Sequence, residues 1–138
     1  MPVAPAVPQA DYSSARTAAA ALPRMHALVV SRRGQLVLED YAKGYSANRL
    51  ASIKSASSQP RTRSRWDPDR EYGYGWWSQT FNGHRACFAW GFGGQYIFVF
   101  RELDLVVAVT SATTVSDERR GYRRQLFDLL ETHILPPR

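Results

Sequence analysis

The sequence predicts an α+β domain in which helices from the two ends of the chain cover one face of a five-stranded antiparallel sheet. Short β-rich runs are joined by glycine-containing turns, as in antiparallel hairpins. One helical pattern precedes these runs and another follows them. The chain has 138 residues and is 44% hydrophobic, which is enough for one domain with a buried core.

The first helix is predicted over "DYSSARTAAAAL", residues 11–22. Asp11 can cap its start, the alanines favour a helix, and Pro23 ends it. Residues 1–10 are rich in proline and alanine and are predicted to be a disordered lead. The single domain is therefore expected to span residues 11–138.

Two strands follow, "MHALVVS" and "QLVLEDY", joined by a short connection that contains Gly34. The run "ALVV" is apolar on both faces, as a central strand would be. Regular signals then fade, and residues 56–71, rich in serine, arginine and proline, are interpreted as a linker.

Four β-rich runs follow, "YGYGWWSQTF", "ACFAW", "QYIFVFREL" and "LDLVVAVTS". They are assigned to three strands, which gives a predicted total of five. Asn82-Gly83, which follows the first of them, is the strongest hairpin signal in the chain. The one cysteine, Cys87, excludes an internal disulfide and is expected to be a small buried hydrophobe.

An amphipathic helix is predicted at the end of the chain, with Ser116 as its cap. Its apolar side chains recur at helical spacing, although Gly121 weakens the pattern; they are Tyr122, Leu126, Leu129, Leu130 and Ile134. Several strands are apolar on both sides, so both faces of the sheet should need covering. The sequence offers no second helical layer, and an exposed apolar face favours self-association.

The composition and charge of the chain limit the kinds of partner that it is expected to bind. The net charge is +6, but the arginines are scattered without a nucleic-acid motif, which indicates a solvated surface and no nucleic-acid partner. No apolar run reaches membrane-spanning length, so no membrane span is expected. The chain as given shows no signal peptide, and the compartment stays unknown. No cluster of metal ligands is seen, so neither metal nor cofactor is expected.

Two blocks of the chain resemble the penicillin-recognising serine hydrolases, the superfamily of class C-like serine β-lactamases, D,D-peptidases and esterases. The first is "MHALVVSRRGQLVLEDYAKGYSANRLASIKSAS", and the second is "YGYGWWSQTFNGHRACFAWGFGGQYIFVFRELDLVVAVTSAT". The resemblance implies an α/β domain with two strands from the N-terminus and three from the C-terminus, and with the terminal helices packed together. The inserted helical domain of that family is replaced here by "QPRTRSRWDPDRE".

The resemblance implies that Ser55 is the nucleophile. The family motif is S-x-x-K at the start of a helix, where residues three apart share one face and the lysine can accept the serine proton. Here Ser58 occupies the lysine position, and no S-x-x-K exists in the chain. Pro60 disfavours a helix at this point. A solvated loop serine is the alternative interpretation of Ser55.

The third box of the family matches "WGFGGQ", which assigns substrate binding to Gly91, Gly93, Gly94 and Gln95. Glycines let a backbone approach a substrate closely and leave amides available for an oxyanion. A tight bend at the start of a strand is the alternative. The cation of this box and the Y-x-N box are both missing.

The function implied by the resemblance is hydrolysis of a small-molecule ester or amide through an acyl-serine, impaired or lost because of the missing motifs. The alternative is a non-catalytic, truncated remnant that forms a homo-oligomer through the uncovered sheet face. Members of the family are often exported to the periplasm. A basic module that binds nucleic acid is a third hypothesis and depends on charge alone.

Overall fold

The computed structural model describes residues 12–42, 44–46, 64–67, 70–73 and 76–137, and for 64–67, 70–73 and 118 it describes the backbone alone. The helices and strands, in chain order, are α1 (Ser13–Ala20), β1 (Met25–Arg32), β2 (Gln35–Tyr41), β3 (Ser64–Asp67), β4 (Arg70–Gly73), β5 (Trp76–Phe81), β6 (His84–Gly91), β7 (Gln95–Phe100), β8 (Leu105–Ser111) and α2 (Tyr122–Leu129). A π-helical turn, Leu130–Ile134, continues α2, and short 3-10 turns occupy Arg101–Leu103 and Asp117–Arg119.

All strand pairs are antiparallel, and the strand order is β2-β1-β8-β7-β6-β5-β4-β3. The α+β class with an antiparallel sheet is therefore confirmed. The predicted count of five strands is wrong, because the body of the sheet has six longer strands. The runs after residue 75 form four strands rather than three, and "HRACFAWG" alone is a strand of 8 residues. Two further strands of 4 residues each, β3 and β4, extend the sheet at the edge next to β5. β3 lies within the predicted linker, and β4 begins in its last two residues.

The predicted hairpins form at the expected residues. Asn82 and Gly83 have φ values of +48° and +73°, and Arg33 and Gly34 have φ values of +52° and +75°. Two successive residues with positive φ are what a two-residue turn of type I′ requires, and this turn matches the twist of the strands. The connection from β7 to β8 passes through the 3-10 turn Arg101–Leu103 and ends at Asp104, whose backbone is also in the left-handed conformation.

The core lies between the sheet and the helices. Phe127 of α2 packs its ring 5.0 Å from Phe81 and 6.1 Å from Phe98, measured between ring centroids. Ala15 and Ala19 bring α1 close to the same core. Burial of one aromatic side chain contributes about 2–3 kcal/mol to the free energy of unfolding. The side of the sheet that the helices cover therefore provides most of the stability. One row of directly paired, buried side chains crosses the sheet: Leu38, Val30, Val107, Phe98, Phe88 and Trp77.

The C-terminal helix begins later than predicted. Ser116 makes no capping hydrogen bond, and it precedes the 3-10 turn Asp117–Arg119. Gly121 follows with φ +77°, and the α-helix begins only at Tyr122. A left-handed residue cannot continue a right-handed helix, so Gly121 divides the predicted element in two. At the other end of the chain, the predicted cap Asp11 and the lead 1–10 lie outside the described residues.

The opposite side of the sheet, which we call the outer face, is apolar and carries neither described helix. Trp76 is 41% exposed and Val106 38% exposed on this side. Cys87 is exposed, so the expectation of a buried cysteine is wrong. Its strand alternates, and the buried Ala86 and Phe88 beside it take the helix-covered side. The apolar side chains of the outer face are Val29, Trp76, Cys87, Ala89, Ile97, Val99, Val106 and Ala108, and the polar Ser78 and Arg85 lie on the same side.

Candidate functional site

The turn between β6 and β7, residues 91–95, contains all four predicted substrate-binding residues. Gly91 and Gln95 are directly paired, and the Gly94 N–H donates to the Gly91 carbonyl at 3.2 Å, which closes the turn. Gly93 and Gly94 have φ values of +88° and +100°. Glycine adopts such angles without steric cost, so the backbone of the turn itself calls for glycine at both positions.

Packing around the turn imposes a second requirement for the same two glycines. A Cβ atom on Gly93 would lie 2.6 Å from the Ala112 carbonyl oxygen. A Cβ atom on Gly94 would lie 2.6 Å from Cε1 of the Tyr122 ring. Close approach to the protein's own backbone and to α2 therefore accounts for the glycine pair without a ligand.

Gln95 is 2% exposed, and its side chain faces the end of β8 rather than solvent. Its Oε1 accepts the Ser111 N–H at 2.9 Å, and its Nε2 donates to the Ser111 carbonyl at 2.7 Å. The Gln95 side-chain amide thus takes the place of a backbone peptide group. It supplies the two hydrogen bonds that the Ser111 backbone would otherwise lack at this end of the β7–β8 pair. Buried backbone groups need such partners, which explains a buried glutamine here.

Ser111 and Tyr122 form a buried hydroxyl pair beside Gly94. The Ser111 hydroxyl donates to the Gly94 carbonyl at 2.8 Å. Its single proton is then used, so the Tyr122 hydroxyl, 2.6 Å away, donates to Ser111 Oγ. Burial raises the pKa of Tyr122 to about 12, although the Ser111 hydrogen bond and the charge of Arg24 oppose this increase. Tyr122 is therefore a protonated donor at neutral pH.

Arg24 binds the segment that leaves β8. Its guanidinium donates to the carbonyls of Ala112 at 2.9 Å and Thr114 at 2.6 Å, and to Ser116 Oγ at 3.0 Å. The Ala112 N–H donates back to the Arg24 carbonyl at 2.7 Å. The side chain is 3% exposed, and its Nε has no hydrogen-bond partner among the described residues. A planar fork with several donors suits this set of carbonyls better than an ammonium group.

The solvent side of the turn is aromatic and cationic. Phe92, at the tip, is 47% exposed. The Arg119 guanidinium carbon lies 4.5 Å from the centre of the Phe92 ring, and that of Arg123 lies 5.4 Å from the centre of the Trp90 ring. Both distances are within the range of cation–π attraction.

The structure brings together Gly91, Gly93, Gly94 and Gln95, whereas Ser55 lies outside the described residues. No distance therefore relates the candidate nucleophile to the turn, and its role stays a prediction. His84 lies at the other end of β6, where its Nε2 is 3.1 Å from the Pro136 carbonyl oxygen. His84 and Gly91 are the first and last residues of this 8-residue strand, and they are therefore roughly 23 Å apart. His26 stacks on Tyr45.

The described residues contain no group of three or more metal-ligating side chains. Within the same part of the chain, no helix has the length and apolar character needed to cross a membrane. The prediction of no membrane span agrees with this finding for helices.

Arg24, Ser111 and Tyr122 belong to the site although the sequence did not predict them there. Tyr122 was assigned to the apolar side of the last helix, which its ring fits, but its hydroxyl needs a partner once buried. The signal for Ser111 is weak: a polar "TS" pair ends an otherwise apolar strand. Arg24 stands directly before β1, and nothing in the sequence indicates that its side chain is buried.

No family model, curated protein or solved structure was found to match this chain.

Proposed function

We propose that this chain has the scaffold of a β-lactamase-related serine hydrolase and that acyl transfer at Ser55 is impaired to the point of no turnover. The sheet order supports the scaffold. The two N-terminal strands join the C-terminal strands through the β1–β8 pair, and α1 packs against the helical end of the chain. This is the arrangement that the resemblance of the two sequence blocks implies.

The observation that carries the loss of activity is the absence of the motif lysine three residues after Ser55. A serine nucleophile needs a positioned base. Ser58 replaces the motif lysine, and the hydroxyl groups beside the glycine turn are already committed. Tyr122 holds its proton, because burial raises its pKa to about 12, and Ser111 donates to Gly94. Neither of these groups substitutes for the missing lysine.

The substrate class under this proposal is a small ester or amide, held by backbone rather than by side chains. The Gln95 amide is engaged by the Ser111 backbone and by the Phe92 carbonyl, and the side-chain-free Gly93 and Gly94 form the rest of the turn. Backbone amides are the usual donors to a developing oxyanion. The Gly94 N–H is already used by the Gly91 carbonyl, so this role falls to the other amides of the turn. Binding without turnover is the expected remaining capacity of such a site.

A fluorophosphonate probe tests the proposal. The full chain and its Ser55→Ala variant are incubated with the probe, and intact mass followed by peptide mapping locates any adduct. We expect no stoichiometric adduct on either protein. A single adduct on Ser55, absent from the Ser55→Ala variant, would show a live nucleophile and contradict the loss of activity.

The outer face favours a second role, self-association. Trp76 and Val106 leave large apolar side chains 41% and 38% exposed there, on the side of the sheet that carries neither described helix. A second copy of the chain is the occupant that we propose for this face, because apolar side chains of the same face are complementary to themselves across a two-fold axis.

A further inference from the structure

A second surface, at the end of the sheet next to the glycine turn, combines exposed apolar tips with arginines. Phe92 at the tip of the β6–β7 turn is 47% exposed, and Val115 in the segment after β8 is 76% exposed. Arg119 joins them, since its guanidinium lies over the Phe92 ring and its side chain lines a hollow together with Val115. We call this surface the basic tip; it consists of Phe92, Val115, Arg119, Arg120 and Arg123, together with Arg124 by its position in the first turn of α2.

Among the described side chains, none neutralises the arginines of the basic tip by an ion pair. All four arginines are exposed, and none of them forms an ion pair with a carboxylate of a described side chain. The same segment carries Asp117 and Glu118, so an excess of two positive charges remains by count. An exposed positive excess attracts anions over a distance of about 10 Å at ordinary salt.

We propose that the basic tip binds the surface of an anionic lipid bilayer, with Phe92 and Val115 entering the interfacial region. Loop-tip apolar side chains gain free energy when they leave water for that region. Arginines beside them then lie at the level of the headgroup phosphates, where basic residues are attracted to anionic lipid. The long arginine side chains can follow the interface while their charged ends stay hydrated.

The apolar tips distinguish a bilayer from a nucleic acid as the partner. A phosphodiester backbone would use the arginines but would leave Val115 in water. The Phe92 ring is partly occupied by Arg119, 4.5 Å above it, which limits stacking of a base on that side. A bilayer accommodates both features of the basic tip at once.

Vesicle co-sedimentation of the full chain tests the inference. The probes are vesicles of pure phosphatidylcholine and vesicles of phosphatidylcholine with about 30% phosphatidylglycerol. We expect binding to the anionic vesicles, weakening as salt rises, and at least tenfold less binding to the neutral vesicles, an order-of-magnitude expectation from the charge of the basic tip. Equal binding to both, or binding to neither, would overturn the inference.

Matched variants separate the basic tip from general surface charge. Arg120→Gln with Arg124→Gln should weaken partitioning on the order of twentyfold, from roughly fivefold for each arginine. The control is Arg33→Gln with Arg101→Gln, which removes the same charge from exposed arginines at the other end of the sheet. An equal effect of the two double variants would contradict a localised site.

A second pair of variants tests the apolar side chains of the basic tip. Val115→Ser is compared with the control Leu36→Ser, because Leu36 is 60% exposed far from the basic tip. Only Val115→Ser should reduce anionic-vesicle binding. Binding of a single-stranded oligonucleotide that is unaffected by Val115→Ser, together with no vesicle binding, would assign the arginines to nucleic acid instead. Both serine variants alter exposed side chains, and circular dichroism verifies their folding.

Discussion

The Tyr122 hydroxyl lies 2.6 Å from Ser111 Oγ, inside the protein, and this contact joins the start of α2 to the end of β8. The Ser111 hydroxyl in turn donates a hydrogen bond to the Gly94 carbonyl at 2.8 Å. Three segments that are distant in sequence are thus held together by two hydroxyl groups at the candidate site. Buried hydroxyl groups are costly when unpaired, so each member of this chain of hydrogen bonds stabilises the others.

Tyr122→Phe should lower the free energy of unfolding by about 1 kcal/mol, because it removes one buried hydrogen bond and leaves the ring in place. Urea denaturation measures the change. Tyr41→Phe is the matched control, since the Tyr41 hydroxyl donates to Glu39 Oε1 in an exposed position. Equal losses in the two variants would show that burial of the Tyr122 hydroxyl has no special energetic weight.

The stability of the protein should fall between pH 10 and pH 12 because of Tyr122. The unfolded chain releases the phenolic proton near pH 10, whereas the folded protein keeps it to about pH 12. The unfolded state therefore binds fewer protons in this window, and unfolding becomes easier as pH rises. The loss reaches roughly 2–3 kcal/mol at most.

The difference in unfolding free energy between the parent and Tyr122→Phe, measured from pH 8 upward, isolates this contribution from that of other tyrosines. We expect the difference to shrink and change sign as the pH rises. A difference that is constant with pH would contradict the raised pKa of Tyr122.

Gly94→Ala should destabilise the protein much more than Gly34→Ala. Both positions have positive φ, so each alanine costs about 1–2 kcal/mol in backbone strain. Only the Cβ on residue 94 meets an obstacle, the Tyr122 ring at 2.6 Å, whereas residue 34 has open space. The extra cost is about 1–3 kcal/mol, as for overpacking. Thermal denaturation of the two variants compares them, and equal melting temperatures would disprove tight packing at Gly94.

Hydrolysis of a p-nitrophenyl ester should proceed at the same rate with the parent chain and with Ser55→Ala. The reason is that Ser55 lacks the lysine partner three residues on, where Ser58 stands. Initial rates are compared with those of a heat-denatured sample. A parent rate well above that of Ser55→Ala would contradict the proposed loss of activity.

Val106→Asp should convert an oligomer to a monomer if the outer face is the contact between copies. Val106 is 38% exposed on this face, and a buried unpaired charge opposes association. Sedimentation velocity at several concentrations measures the size. Val115→Asp is the control, because Val115 is exposed away from the sheet. A parent protein that sediments as a stable monomer would rule out self-association through this face.

The sequence by itself determined the local elements of this fold. Alternating apolar residues indicated the strands, and Asn82-Gly83 and the short polar connection with Gly34 indicated the hairpins, because asparagine and glycine accept the positive φ values of such turns. Local rules were insufficient at Gly121, where a helical pattern continues through a residue that interrupts the helix. The strands after residue 75 were also undercounted: the four β-rich runs there were assigned to three strands, although each of them contains a strand of its own.

Only the tertiary structure decided what surrounds the glycine turn. Gly93 and Gly94 are visible as glycines in the sequence, but the Ala112 carbonyl and the Tyr122 ring that exclude a side chain come from segments about 20 to 30 residues later. Burial of Gln95, Arg24 and Ser111 depends in the same way on which strands become neighbours. Sequence periodicity reports the side on which a residue lies, whereas hydrogen-bond partners depend on long-range packing, and the sequence alone does not determine that packing.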